Sequence, residues 1–142
     1  MPVRNASAVW EGNLPSGRGT LTVGSGAFEG SYSFASRFED GPGTNPDELI
    51  GAAHAGCFSM ALANMLAQAG HTPESIRTEA KVQLAKVGDG FKITLIELNT
   101  EGIVPGTDEK TFLKHAENAK TGCPVSQALA GVEVRLLAKL AE

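Results

Sequence analysis

No Asp, Glu, Lys or Arg stands between Glu48 and Glu74, and inside that gap apolar residues recur without strand-like alternation. The pattern predicts one long helix over residues 46–69. Asn45 is a natural N-cap, Pro46 suits the first helical position, and Glu48 stands three residues after the cap as in a capping box. Gly70 supplies the stop. Such a helix is roughly 36 Å long, about the thickness of a bilayer. His54, Ser59, Asn64 and Gln68 interrupt the run, and Ala and Gly dominate it, so it reads as a core helix rather than a membrane span. A helix apolar nearly all round is expected to be buried on several sides.

On the N-terminal side, Trp10, Leu21, Val23, Phe28, Tyr32, Phe34 and Phe38 follow a period of two with glycines between the runs. They predict strands over residues 6–11, 20–23 and 31–38, an antiparallel meander. Arg18 falls in the turn 16–19 and Arg37 near the end of the third strand. Beyond the helix, residues 77–87 and 91–100 alternate about a Gly88-Asp89-Gly90 turn, with a phase change at Leu95-Ile96 that marks a bulge. A helix capped by Thr107 or Asp108 runs to Lys120, with Phe112, Leu113, Ala116 and Ala119 on one side. Pro124 opens a short helix through residue 130, which puts Cys123 at its N-cap, and residues 132–140 form the last strand. The expected fold is α+β, antiparallel sheets packed around a long central buried helix, in a single domain over residues 1–142.

Composition narrows the function classes. A net charge of −4 and the lack of any long basic run argue against a nucleic-acid surface. The opening MPVRNASAVWEG has no apolar stretch like that of a signal peptide, so a cytoplasmic protein without a membrane partner is expected. In a reducing compartment the two cysteines read as inert, catalytic or metal-bound before they read as a static crosslink. Cys57 in mid-helix has the position of a small hydrophobe. Cys123 differs, because an N-cap thiol faces free amide hydrogens and the positive end of a helix dipole. The two could pair only with Cα atoms within about 7 Å.

GTNPDELIGAAHAGCFSMAL around Cys57 and AKTGCPVSQAL around Cys123 resemble the two signature segments of the osmotically inducible protein C and organic hydroperoxide resistance (OsmC/Ohr) family. The resemblance is closest to the OsmC branch. It extends to WEG near the N-terminus, to the RFE stretch from Arg37 to Glu39, and to the spacing of the second hairpin, nearly the whole chain. It implies an OsmC-like fold, an intertwined homodimer with two active sites at the subunit interface, and a thiol peroxidase acting on organic hydroperoxides. Cys57 would be the peroxidatic nucleophile and Cys123 the resolving thiol. No metal, haem or flavin cofactor is implied; an external dithiol, possibly of the lipoyl type, would supply electrons.

In that chemistry a thiolate attacks one peroxide oxygen, an alkoxide leaves, and the resulting sulfenic acid condenses with a second thiol. A depressed pKa alone gains little. Lowering a thiol from about 8.5 to about 5.5 raises its thiolate fraction near pH 7.4 roughly 13-fold, while nucleophilicity falls about 16-fold or more. Stabilising the leaving alkoxide matters more, and an arginine fork suits that task. Family resemblance points to Arg37 for the OsmC branch and to a position near Arg18 for the Ohr branch. The arginine needs a carboxylate to hold it. Asp47 lies roughly 80° around the helix from Cys57 and Glu48 roughly 180°, which selects Asp47, where the family usually carries Glu, and leaves Glu48 to the cap. His54, three residues before Cys57, reads either as a base beside the thiolate or as a hydrogen-bonded core residue. Two other functions stay open: metal binding through His54, Cys57 and Cys123, joined by His115, and a noncatalytic stress or ligand-binding protein whose cysteines only pack. Phe58, Met60 and Leu49 around Cys57 suggest that bulky organic hydroperoxides are preferred to hydrogen peroxide.

Overall fold

In the computed structural model, which describes residues 1–141, the chain forms two compact units, Met1–Leu49 and the remainder from Ile50. The first holds an antiparallel sheet of β1 (Ala6–Glu11), β2 (Arg18–Val23) and β3 (Glu29–Tyr32) in that order. Gly19 stands between Trp10 and Tyr32 in the ladder. A Cβ there would come within 2.4 Å of the Tyr32 ring and 2.8 Å of the Trp10 ring, so glycine lets the two aromatics meet at 5.3 Å between centroids. Arg18 is not a turn residue; it opens β2 opposite Glu11.

The third strand stops at Tyr32, and residues 34–38 are helical, which corrects the expectation of a strand to residue 38. The Ser33 hydroxyl accepts the Ser36 amide at 3.1 Å, and the Ser36 hydroxyl accepts the Ser33 amide at 2.8 Å, a reciprocal cap that starts α1 (Phe34–Phe38). Phe34 and Phe38 satisfy both a period of two and an i,i+4 spacing, and here their rings pair at 4.9 Å. Arg37 thus sits in the last turn of a helix.

The long helix is α2 (Pro46–Gln68). The Asn45 side chain accepts the Glu48 amide at 2.7 Å as expected of the cap, while the Glu48 carboxylate accepts the Thr44 hydroxyl at 2.9 Å. Among the described residues it is the one helix long and apolar enough to cross a membrane, yet its composition serves packing. His54, Phe58, Leu62 and Leu66 are fully buried, whereas Met60 is 75% exposed. Burial on several sides is therefore not what the single chain shows: one face packs inward and the other stays open.

That inward face joins a core with the second sheet, β4 (Ser75–Val87), β5 (Gly90–Ile103) and β6 (Glu133–Leu140). β4 and β5 form the expected hairpin, with the bulge at Thr94, where Gln83 faces Leu95 and Leu84 faces Ile93. The antiparallel expectation holds for every pair but one, because β6 lies parallel to β5. A parallel neighbour requires a crossover, and α3 (Glu109–Gly122) and α4 (Pro124–Ala128) provide it. Asp108 caps α3 by accepting the Thr111 amide at 2.7 Å, and Phe112, Ala116 and Ala119 are buried while Leu113 is exposed.

Candidate functional site: a dithiol at the α3–α4 junction

Cys123 terminates α3 and caps α4 in an extended conformation, with Pro124 following as the first helical residue. Its Sγ accepts the Ser126 amide at 3.3 Å and lies 3.1 Å from the Ser126 hydroxyl. The next amide along, that of Val125, donates to Cys57 Sγ at 3.5 Å. Cys57, half-buried on α2, is thus held by the amide next to the one that serves Cys123. Both thiols are free and Cys123 is fully buried. One helix delivers the first sulfur to this junction and the turn between two helices delivers the second.

Burial pushes the Cys57 thiol above its ordinary range; the Val125 amide opposes that shift, and the neighbouring Cys123 adds to it. Cys57 opens on a largely apolar cleft of about 760 Å³ lined by Met60, Ala61, Asn64, Met65, Gly122 and Pro124. Of the apolar neighbours expected from sequence, Met60 lines this cleft. Phe58 instead points into the core, since residues one apart on a helix face different ways, and Leu49 belongs to the first unit.

His54 is hydrogen-bonded in the core, and the partner it meets is Ser126. Its Nε2 lies 2.7 Å from the Ser126 hydroxyl, the ring is fully buried, and burial lowers its pKa, which favours neutral imidazole. Ser126 escaped the sequence reading, although a serine three residues after a helix-capping residue is the spacing of a capping box.

In the first unit, Arg37 and Asp47 form a two-pronged pair, Nε to Oδ2 at 3.2 Å and Nη2 to Oδ1 at 3.1 Å. The guanidinium carbon also sits 5.6 Å from the centre of the Phe38 ring. Arg18 contrasts with it: its side chain is 83% exposed and meets Glu11 at 3.7 Å. Among the described residues no group of three or more His, Cys, Asp and Glu side chains is arranged to hold a metal ion.

Two thiols served by successive amides lie beside an open, largely apolar cleft, on an α+β scaffold whose long helix carries one of them. The OsmC-like protein family matches residues 39–136. The chain is 54% identical over 127 residues to the peroxiredoxin OsmC of Escherichia coli strain K12, covering 89% of each. It is 33% identical over 92 residues to the organic hydroperoxide resistance protein of Xanthomonas axonopodis pv. citri, covering 64% of this chain and 63% of that one. An OsmC-like protein of unknown function from Vibrio cholerae has the same fold, with a TM-score of 0.78 at 19% identity over 97% of this chain and 99% of the other. The chain belongs to the OsmC-like protein family.

Proposed function

We propose that the protein is a thiol-dependent peroxidase that reduces organic hydroperoxides to alcohols. Cys57 attacks the peroxide, the alkoxide leaves, and the Cys57 sulfenic acid is resolved by Cys123 to a disulfide with loss of water. The observation that carries this reading is that two successive amides, of Val125 and Ser126, donate to the Cys57 and Cys123 sulfurs at one junction beside an open apolar cleft. Similarity to the Escherichia coli peroxiredoxin OsmC and to the Xanthomonas organic hydroperoxide resistance protein supports it. Because burial raises the Cys57 thiol, a cation has to favour its thiolate and receive the developing alkoxide. In this reading that cation is Arg37, held by Asp47, and Arg18 remains a solvent-facing partner of Glu11.

The open face of α2 supports a homodimer, and an external dithiol, lipoyl-type or otherwise, returns the disulfide to two thiols; the whole chain works as one domain in the cytoplasm. The test is peroxide consumption with cumene hydroperoxide and excess dithiothreitol. Cys57→Ser abolishes turnover, whereas Cys123→Ser keeps it while the external dithiol is abundant. Full activity in Cys57→Ser would overturn the reading and return both cysteines to a packing role.

A further inference from the structure

The peroxidase reading assigns no task to the buried chain that begins at the second sulfur. Cys123 Sγ, Ser126 Oγ and His54 Nε2 follow one another at 3.1 and 2.7 Å, every member buried. The chain ends in a ring whose other nitrogen, Nδ1, is buried and has no hydrogen-bond partner among the described residues. A histidine kept only for packing would leave that nitrogen unsatisfied to no purpose, since an apolar residue fills space without the loss.

We propose that Ser126 and His54 form a proton relay for the resolving thiol. The Ser126 hydroxyl takes the proton from Cys123 and passes its own to His54 Nε2 while Cys123 sulfur attacks the oxidised Cys57 sulfur. Resting on the peroxidase reading, the step balances as follows. The S–H bond of Cys123 and the S–O bond of the Cys57 sulfenic acid break, the S–S bond forms, and hydroxide leaves. The imidazolium proton then neutralises that hydroxide to water. Ser126 touches the reacting sulfur and is a catalytic residue; His54 acts through it and is a positioning residue.

Two further observations fit. A thiol is ordinarily a weaker acid than imidazolium, so the resting chain is neutral and the proton moves only as the new bond forms. The surroundings of the ring agree with a neutral resting state. Among the described residues, Cys57 is the titratable group that interacts with the Cys123 end of this chain, and the core that α2 joins through Phe58 and Leu62 offers Ile96 and Leu98. Among the described residues no charged neighbour adds to the effect of burial on His54. After transfer, the Ser126 hydroxyl and amide both point donors at the Cys123 sulfur.

The experiment reads resolution without peroxide. Half-buried Cys57 is loaded with 5,5′-dithiobis(2-nitrobenzoate), and release of the second thionitrobenzoate reports attack by Cys123. His54→Gln keeps a hydrogen-bonding group near Nε2 but takes no proton, and Ser126→Ala breaks the chain beside the sulfur. Both are expected to slow the second release about 100-fold, the low end of what a positioned base supplies. Ser126→Thr, which restores the hydroxyl, returns it to near the native rate. The native rate should level off above the imidazole titration. In the two blocked variants it should keep rising about tenfold per pH unit as the thiol itself ionises. Slowing without that change of pH profile indicates a merely structural role and overturns the relay, as does a second release within about threefold of native in Ser126→Ala. Should His54→Gln not fold, Ser126→Ala and Ser126→Thr decide alone. Failure to detect a Cys57 sulfenic acid after cumene hydroperoxide would sink the peroxidase reading while this thiol–disulfide readout still judges the relay.

Discussion

His54 and Asp47 show how much a single side chain gains from its partner. The buried imidazole has one satisfied nitrogen and a pKa held below the unfolded value of about 6.5. The folded state therefore binds fewer protons than the unfolded state as the solution is acidified. The stability that depends on neutral His54 is complete above about pH 6.5 and is lost as pH falls from there through the lower folded-state value, at no more than about 1.4 kcal/mol per pH unit. Urea titrations at pH 7.5 and pH 5 should show a smaller acid loss for His54→Gln than for the native chain; an equal loss would mean the ring is not held neutral. Asp47 is the site residue that helical geometry alone picked out, and it does meet Arg37. Ser126 could not be picked out in the same way, because a serine three residues after a helix cap resembles any other until its hydroxyl is seen to link the capping cysteine to a distant histidine.

At the level of elements, α3 packs closely on β5. A Cβ on Gly102 would stand 2.6 Å from Phe112 Cε1 and 3.1 Å from Ile76 Cδ1, and Phe112 is fully buried. Gly102→Ala is expected to destabilise the protein by about 1–3 kcal/mol through overpacking, despite the usual benefit of replacing glycine inside a strand. Chemical denaturation measures it, and a neutral or stabilising result would show that α3 can shift away. Element boundaries were legible where periodicity had one solution. The charge-free run, the Gly88 turn and the Asp108 cap all lie where the pattern places them. The pattern misled at Phe34 and Phe38, whose four-residue spacing suits strand and helix alike, and only the serine pair at 33 and 36 decides between them. Parallel pairing of β6 was equally invisible, since alternation reports the face of a strand and never its direction.

For the whole molecule, the proposed peroxidase function makes the cleft at Cys57 the place where substrates would be distinguished. Met60, Ala61 and Met65 give it an apolar wall, and burying an alkyl group there contributes about 25 cal/mol per Å². Cumene hydroperoxide should have at least a tenfold higher kcat/KM than hydrogen peroxide, measured by coupled dithiol oxidation; equal values would remove the cleft from the account of specificity. The family and its two cysteine segments were readable from the chain, because long motifs of fixed order survive without coordinates. The open side of α2 was not, since an apolar helix looks the same whether its own chain or another molecule covers it.

The parallel placement of β6 bears on how the protein is made. Cys57 rides on α2, whereas Cys123 sits on a crossover whose far end is anchored by β6, a strand that follows it in the chain. The ribosome therefore makes the helix with the first thiol well before the strand that completes the crossover. On the peroxidase reading, a nascent chain carries its first thiol some time before it carries a resolving partner.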